Sequence, residues 1–231
     1  LVQPAALAVA LALAAACSSP ESKPESRRAA EKPRYPASWF APLPADVKPY
    51  SWEITPDAAR PGEAILSKRT ELGVFSNFAA TPFELDGRRF ASVEGFWQAM
   101  YYPEGPDDPR AKAGEWPHTR AEVEGLSGFD AKHAGDVAKK ILGAAGMLSM
   151  SYGGRRFEPH GSPEDQAYHL AVVERATRAK VLQNAAVRDL LVATGDLVLR
   201  PDHDQGADAT AAYHYFDILM KLRAELRSLP R

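Results

Sequence analysis

The sequence predicts an α+β domain that is mostly helical, with a small β-hairpin or sheet near its start. Three observations predict it. Apolar residues recur at helical spacing in successive segments from about residue 92 to 229. An Asp86-Gly87 dipeptide interrupts the aromatic-flanked run "PFELDGRRF", and both residues tolerate the positive φ of a tight hairpin turn. Finally, 231 residues with 45% hydrophobic and 25% charged side chains match an ordinary globular chain with room for one domain and extensions.

The chain opens on an apolar run, "LVQPAALAVALALAAAC", that stops at Cys17. It is too short to span a bilayer comfortably, which takes roughly 20 residues, and it matches a secretory h-region ending in small residues. It resembles a bacterial lipoprotein signal, in which cleavage exposes the cysteine for lipid attachment; a buried N-terminal helix is the other reading. Residues 18–37 follow as a tether of Ser, Pro and charge with almost nothing to bury. That order implies a membrane partner reached through lipid on Cys17, and a place in a bacterial cell envelope, on the outer membrane or periplasmic face. Cys17 is the single cysteine, so no internal disulfide is expected.

Residues 38–63 are rich in proline and aromatics, and Trp39, Phe40, Tyr50 and Trp52 mark an irregular strap lying on the domain. The domain proper is expected over 64–231. "AILSK" (64–68) reads as a strand, and "PFELDGRRF" as the hairpin. Val93, Phe96, Trp97 and Met100 set a helix from about 92 to 102, with Glu94, Gln98 and Tyr101 on an adjacent face. Four prolines make 102–118 a long loop. Helical pattern resumes at 119–125 and 130–146.

"GSPEDQAYHLAVVERATRAKVLQN" (161–184) is the clearest helix. Ser162 caps it, Pro163 needs no donor there, and Glu164 and Asp165 suit the positive end. Its expected buried stripe is Leu170, Val173, Thr177 and Val181. A helix from Asn184 to Gly195, a strand at 196–200, a polar loop, and a helix at 215–229 through Phe216, Leu219, Met220 and Leu226 complete the chain.

A net charge of −2 argues against a nucleic-acid-binding surface. GxGxxG, the Walker loop and HExxH are absent, and the six histidines lack the paired spacing of a zinc site, so no metal or cofactor is expected. Glu94 stands apart. In a first helical turn it can simply face water, favoured by the helix dipole. Alternatively it borders a ring-binding cleft, with aromatic walls and Asn77 or Gln98 reading a heterocycle edge.

"LGVFSNFAATPFELDGRRFASVEGFWQAMYY" resembles the signature of the NADAR family, approximately YGxFSNFxxxPfxxdGxxwxSvEhyfQAqKf. Gly73, Phe75, Ser76, Asn77, Phe78, Pro82, Gly87, Ser92, Glu94, Gln98 and Ala99 stand at matching positions. "RATRAKVLQNAAVRDLLVATGDLVL" and "DILMKLRAEL" are similar to later family segments, so the resemblance covers about 64–228.

It implies a mostly helical fold and hydrolysis of an N-ribosyl bond in a nucleotide or ADP-ribose derivative through an oxocarbenium-like state. The implied catalytic acids are Glu94 and Asp204, with Asp202 as the alternative late acid. Implied substrate contacts are Lys68, Phe75, Asn77, Trp97, Gln98 and Tyr101, with Tyr152 as the mid-chain aromatic. Where the family has a lysine this chain has Tyr101, leaving Lys68 as the nearby amine. Gly95 and Phe96 replace a family His and Tyr, and Tyr213 stands about where a late Asn would be. These departures support a second expectation, an envelope protein that binds a nucleotide-like ligand or a partner without cleaving it.

Overall fold

A computed structural model describes residues 34–206 and 208–228. The expected leader with Cys17, and the tether up to residue 33, lie outside these residues. At the start of the described residues, the Arg34 guanidinium pairs with Asp196 at 2.7 Å and the Tyr35 ring stacks 5.9 Å from that of Trp39. The strap that follows is irregular except for two single 3-10 turns. Trp39 anchors it in the core and donates to Glu71 at 2.5 Å. The Ile54 N–H donates to the Asp202 carbonyl at 2.8 Å, tying the strap to the late polar loop. Tyr50 and Trp52 stay largely exposed, stacked on one another at 5.3 Å.

Strand β1 (Glu63–Ile65) pairs in parallel with β6 (Val198–Arg200), Ala64 opposite Leu199, so the beginning and end of the domain close on each other. A 3-10 turn over Glu71–Phe75 then folds back on the strand end. Gly73 permits this approach: a Cβ there would sit 2.6 Å from the Lys68 Cα and 2.9 Å from the Ser67 carbonyl. The hairpin β2 (Phe83–Leu85) and β3 (Arg88–Phe90) turns on Asp86 at φ 51° and Gly87 at φ 74°, the backbone expected of Asp-Gly.

Ser92 caps α1 (Val93–Ala99), its Oγ accepting from the Gly95 N–H at 2.8 Å. The helix stops short of the expected residue 102. The Met100 carbonyl goes instead to the Ser151 N–H at 2.9 Å and to buried Arg110 at 3.0 Å, while the Tyr102 carbonyl accepts from Arg110 and Arg120. Two guanidiniums thus satisfy the end of α1, where positive charge also suits the dipole.

Helices α2 (Arg120–Glu124) and α3 (Gly128–Ala144) follow, α2 entered through a capping box from Thr119 and Glu122. The sequence reading missed the next element. Met150–Tyr152 and Arg155–Phe157 form a second hairpin, β4 and β5, turning on Gly153 and Gly154 at φ 58° and 78°.

Helix α4 (Pro163–Gln183) is the spine, followed by α5 (Ala185–Ala193) and α6 (Tyr215–Ser228). One apolar cluster joins α1, both hairpins and α3 to Val172, Val173 and Ala176 of α4. The other joins the strap, β1, β6, α5 and α6 to its Val181. Because α4 is covered on both sides, its buried face is wider than the expected stripe. It takes in His169 and Lys180, while Leu170 is only half-buried. On α6 the buried face is rotated from expectation: Tyr215, Ile218, Leu219, Leu222 and Arg223 are covered, and Phe216, Met220 and Leu226 half-covered.

Candidate functional site

The loop Ser76–Phe78 is fixed through three consecutive carbonyls. Ser76 accepts from the Lys180 ammonium of α4 at 2.8 Å, Asn77 from the Glu94 N–H of α1 at 2.9 Å, and Phe78 from the Gly128 N–H of α3 at 3.0 Å. Three helices therefore converge on one short segment. Beside it opens a cavity of about 500 Å³, within the usual range for small-molecule sites.

Glu94 lies at this cavity and is only 7% exposed. Gln98, one turn on, donates from Nε2 to its carboxylate at 2.7 Å. Burial pushes the Glu94 pKa up, against the opposing pull of the Gln98 hydrogen bond and the positive charges of Lys132 and Lys139. The Gln98 amide packs against α3 at Gly135, where a Cβ would come within 1.7 Å of its Oε1. That Oε1 is buried with no protein partner among the described residues. An acid held toward its protonated form at a cavity wall is suited to protonate a ligand.

Aromatic rings form the walls. Trp97 comes from α1 and Tyr101 from the turn just after it, Phe78 and Phe129 pack edge to face at 5.2 Å, and Tyr213 meets Trp97 at 4.9 Å; Trp52 and Tyr215 complete the lining. Behind them His169 is fully buried, 4.5 Å from the Trp97 ring, and desolvation pushes its pKa down to about 4.

Cations mark the margin. Lys68 lies 5.5 Å from the Trp52 ring centre and 5.6 Å from that of Phe78. Lys139 lies 5.4 Å from Tyr101 and shares Asp136 with Lys132. Lys68 also chelates Asp202 at 2.6 and 2.9 Å, and Asp202 meets His203 Nδ1 at 2.9 Å. Burial works against ionisation of Asp202, but the hydrogen bonds from His203 and Lys68 prevail and hold its pKa below the ordinary value.

The structure brings Lys68, Asn77, Glu94, Trp97, Gln98, Tyr101 and Asp204 to one cavity lining. It does not bring Phe75 or Tyr152 there. Phe75 is core, packed among Leu66, Leu72 and the α5–α6 residues, because it closes the 3-10 turn on its inner side. Tyr152 is buried in β4 against Phe96, with its hydroxyl donating to Asp86 at 2.7 Å. It braces the hairpin turn instead. Asp202 sits behind the wall, supporting Lys68 and His203. Asp204 is exposed at the cavity's edge.

Sequence reading missed Phe129, Lys132 and Lys139 of α3, together with His203, Gln205 and Tyr215. The i, i+7 spacing of the two lysines places them on one face, but periodicity does not say that this face borders a cavity. Gly95, standing where the family pattern has histidine, is explained by packing: a Cβ would lie 2.4 Å from the Leu126 carbonyl. Among the described residues, no group of three or more His, Cys, Asp or Glu side chains is gathered as a metal site, and no helix is long and apolar enough to cross a membrane.

No family model matches the chain, and no curated protein matches it. Among solved structures, it is similar to the NMR structure of the E. coli protein YbiA, with 22% identity over 71% of this chain and 86% of that one, at a TM-score of 0.46.

Proposed function

We propose that the chain is an N-glycosidase that hydrolyses an N-ribosyl bond in a nucleotide or ADP-ribose derivative. The observation that carries this reading is Glu94, a buried carboxyl with a raised pKa in a cavity walled by rings and bordered by lysines. Flat walls suit a base, which stacks on aromatic faces. Lys68, Lys132 and Lys139 suit phosphate oxygens. Glu94 donates its proton to the departing base as the C–N bond breaks. The positive charge then developing on the ribose is offset by carboxylate near the cavity, Asp204 at its edge. The resemblance to the NADAR signature points to the same chemistry.

A second reading, binding without cleavage, is favoured by Tyr101. It replaces the family's lysine at the cavity wall, and burial raises its hydroxyl pKa, so it offers no ready nucleophile. We also keep as proposals the lipid anchor at Cys17 and the envelope location, tested by mass analysis of the mature N-terminal peptide for an acylated cysteine.

The functional test is incubation of the chain with ribosylamino-pyrimidine phosphates, ADP-ribosyl-guanosine, NAD and ADP-ribose, followed by mass detection of free base and ribose products. Turnover that Glu94→Ala abolishes is the expected result. Silence across the panel, with ligand-induced thermal stabilisation retained, selects the binding reading.

A further inference from the structure

Four residues outside the expected Glu94–Asp204 pair form a continuous chain into the cavity. Lys68 Nζ binds both oxygens of Asp202, Asp202 Oδ1 meets His203 Nδ1, and His203 Nε2 meets Gln205 Nε2 at 3.1 Å. Asp202 is 1% exposed, with Lys68 and His203 as its side-chain partners. Lys68, His203 and Gln205 line the cavity, whereas Asp202 does not.

From this geometry we infer that His203, oriented by Asp202, is the general base that activates the attacking water in this cavity. The inference rests on the N-glycosidase reading and supplies the group that takes the water's proton, leaving Asp204 its charge-offsetting place at the edge. An ionised carboxylate only accepts hydrogen bonds, so the shared hydrogen between Asp202 and His203 belongs to Nδ1. That leaves the lone pair on Nε2. The Gln205 amide donates to that lone pair at 3.1 Å and stands where a water or ligand hydroxyl would hydrogen-bond.

The step balances with the groups present. Water oxygen bonds to the anomeric carbon as the C–N bond breaks. The bond's electron pair leaves on the base nitrogen, which takes the Glu94 proton. The water's proton passes to His203 Nε2, and the resulting imidazolium faces Asp202. Loss of that proton to solvent and its return to Glu94 reset the site. Asp202 acts through the imidazole and is a positioning residue. Lys68 keeps Asp202 ionised when His203 is neutral. Asp204, its neighbour on the same loop, stays exposed at the edge.

The groups that bear on this titration come from several elements. Asp202 and Lys68 face the Nδ1 side, Asp204 is adjacent in the loop, and Glu53 of the strap and Tyr215 at the head of α6 feel the Asp202 charge.

The test measures kcat and KM against pH for the full chain, His203→Gln, Asp202→Asn and Glu94→Gln, with melting temperatures alongside. His203→Gln should melt with wild type, keep KM within a few-fold, lose kcat by about 10²–10⁴-fold, and lose the acidic limb of the pH profile. Asp202→Asn should lower kcat with KM kept within a few-fold, since the imidazole loses the acceptor that fixes its tautomer. A His203→Gln enzyme with near-normal kcat and an unmoved acidic limb, while Glu94→Gln is silent, overturns this inference and leaves the glycosidase reading intact. Hydrolysis of no N-riboside by the wild-type chain overturns both.

Discussion

Replacing Lys180 with methionine tests how the helices are held to the Ser76–Phe78 loop. Lys180 is 2% exposed, and its ammonium donates to the Ser76 carbonyl at 2.8 Å. Burial pushes its pKa down to about 7 from the ordinary 10.5. Between those two values the unfolded chain holds a proton that the folded chain has released. Stability therefore rises with pH across this window, because the unfolded state binds more protons. At about 1.4 kcal/mol per pKa unit, the full window corresponds to an upper bound of roughly 5 kcal/mol.

Methionine removes both the titration and the donor. The orphaned carbonyl costs about 1–3 kcal/mol at every pH. Urea unfolding in steps from pH 6 to 10 should show wild type gaining on Lys180→Met by about 2–5 kcal/mol as pH rises from 7, with m-values unchanged. Parallel stability curves would refute the claim that a desolvated ammonium underlies the loop.

Glu94→Gln should lose turnover yet gain stability at neutral pH. The raised Glu94 pKa means the folded state keeps a proton that the unfolded state releases, so wild type loses stability as pH climbs from the unfolded value toward the folded one. The two proteins should converge in thermal melts below about pH 4, where both states of the wild type are protonated. Gly135→Ala should drive the Gln98 amide off α3 and away from Glu94, since the new methyl would overlap its Oε1. An overpacking cost of about 1–3 kcal/mol by denaturation, with turnover reduced further than stability explains, is the expected result. Gly87→Ala has open space around it, so its cost is the positive φ alone, about 1–2 kcal/mol by the same measurement.

The first hairpin and the helix-bearing segments were legible because their signals are local. Asp86-Gly87 dictates its own turn, and Ser162-Pro163 its own helix start. The second hairpin escaped because Gly153-Gly154 is flanked by runs of three residues, too short for alternation to register. The α1 terminus was misread because the carbonyls that follow it are claimed by Arg110 from within the 102–118 loop and by Arg120 from beyond it.

At the site, Asn77, Glu94, Trp97 and Gln98 of the GVFSNF–SVEGFWQAM block line the cavity, whereas Phe75 of the same block does not. Which aromatics face in was not legible: Phe75 and Phe78 differ by three positions, yet one is core and the other cavity wall. Lys132, Lys139 and His203 reach the cavity by tertiary packing, and no spacing in the sequence encodes that.

The central claim is that Glu94 drives cleavage at a ribosyl carbon. The most direct measurement follows one N-riboside substrate from the panel in ¹⁸O-labelled water with wild type and Glu94→Gln side by side. The account predicts one ¹⁸O in the ribose product, none in the released base, and no product from the variant. Equal turnover by both proteins, or label entering the base instead of the sugar, would contradict it.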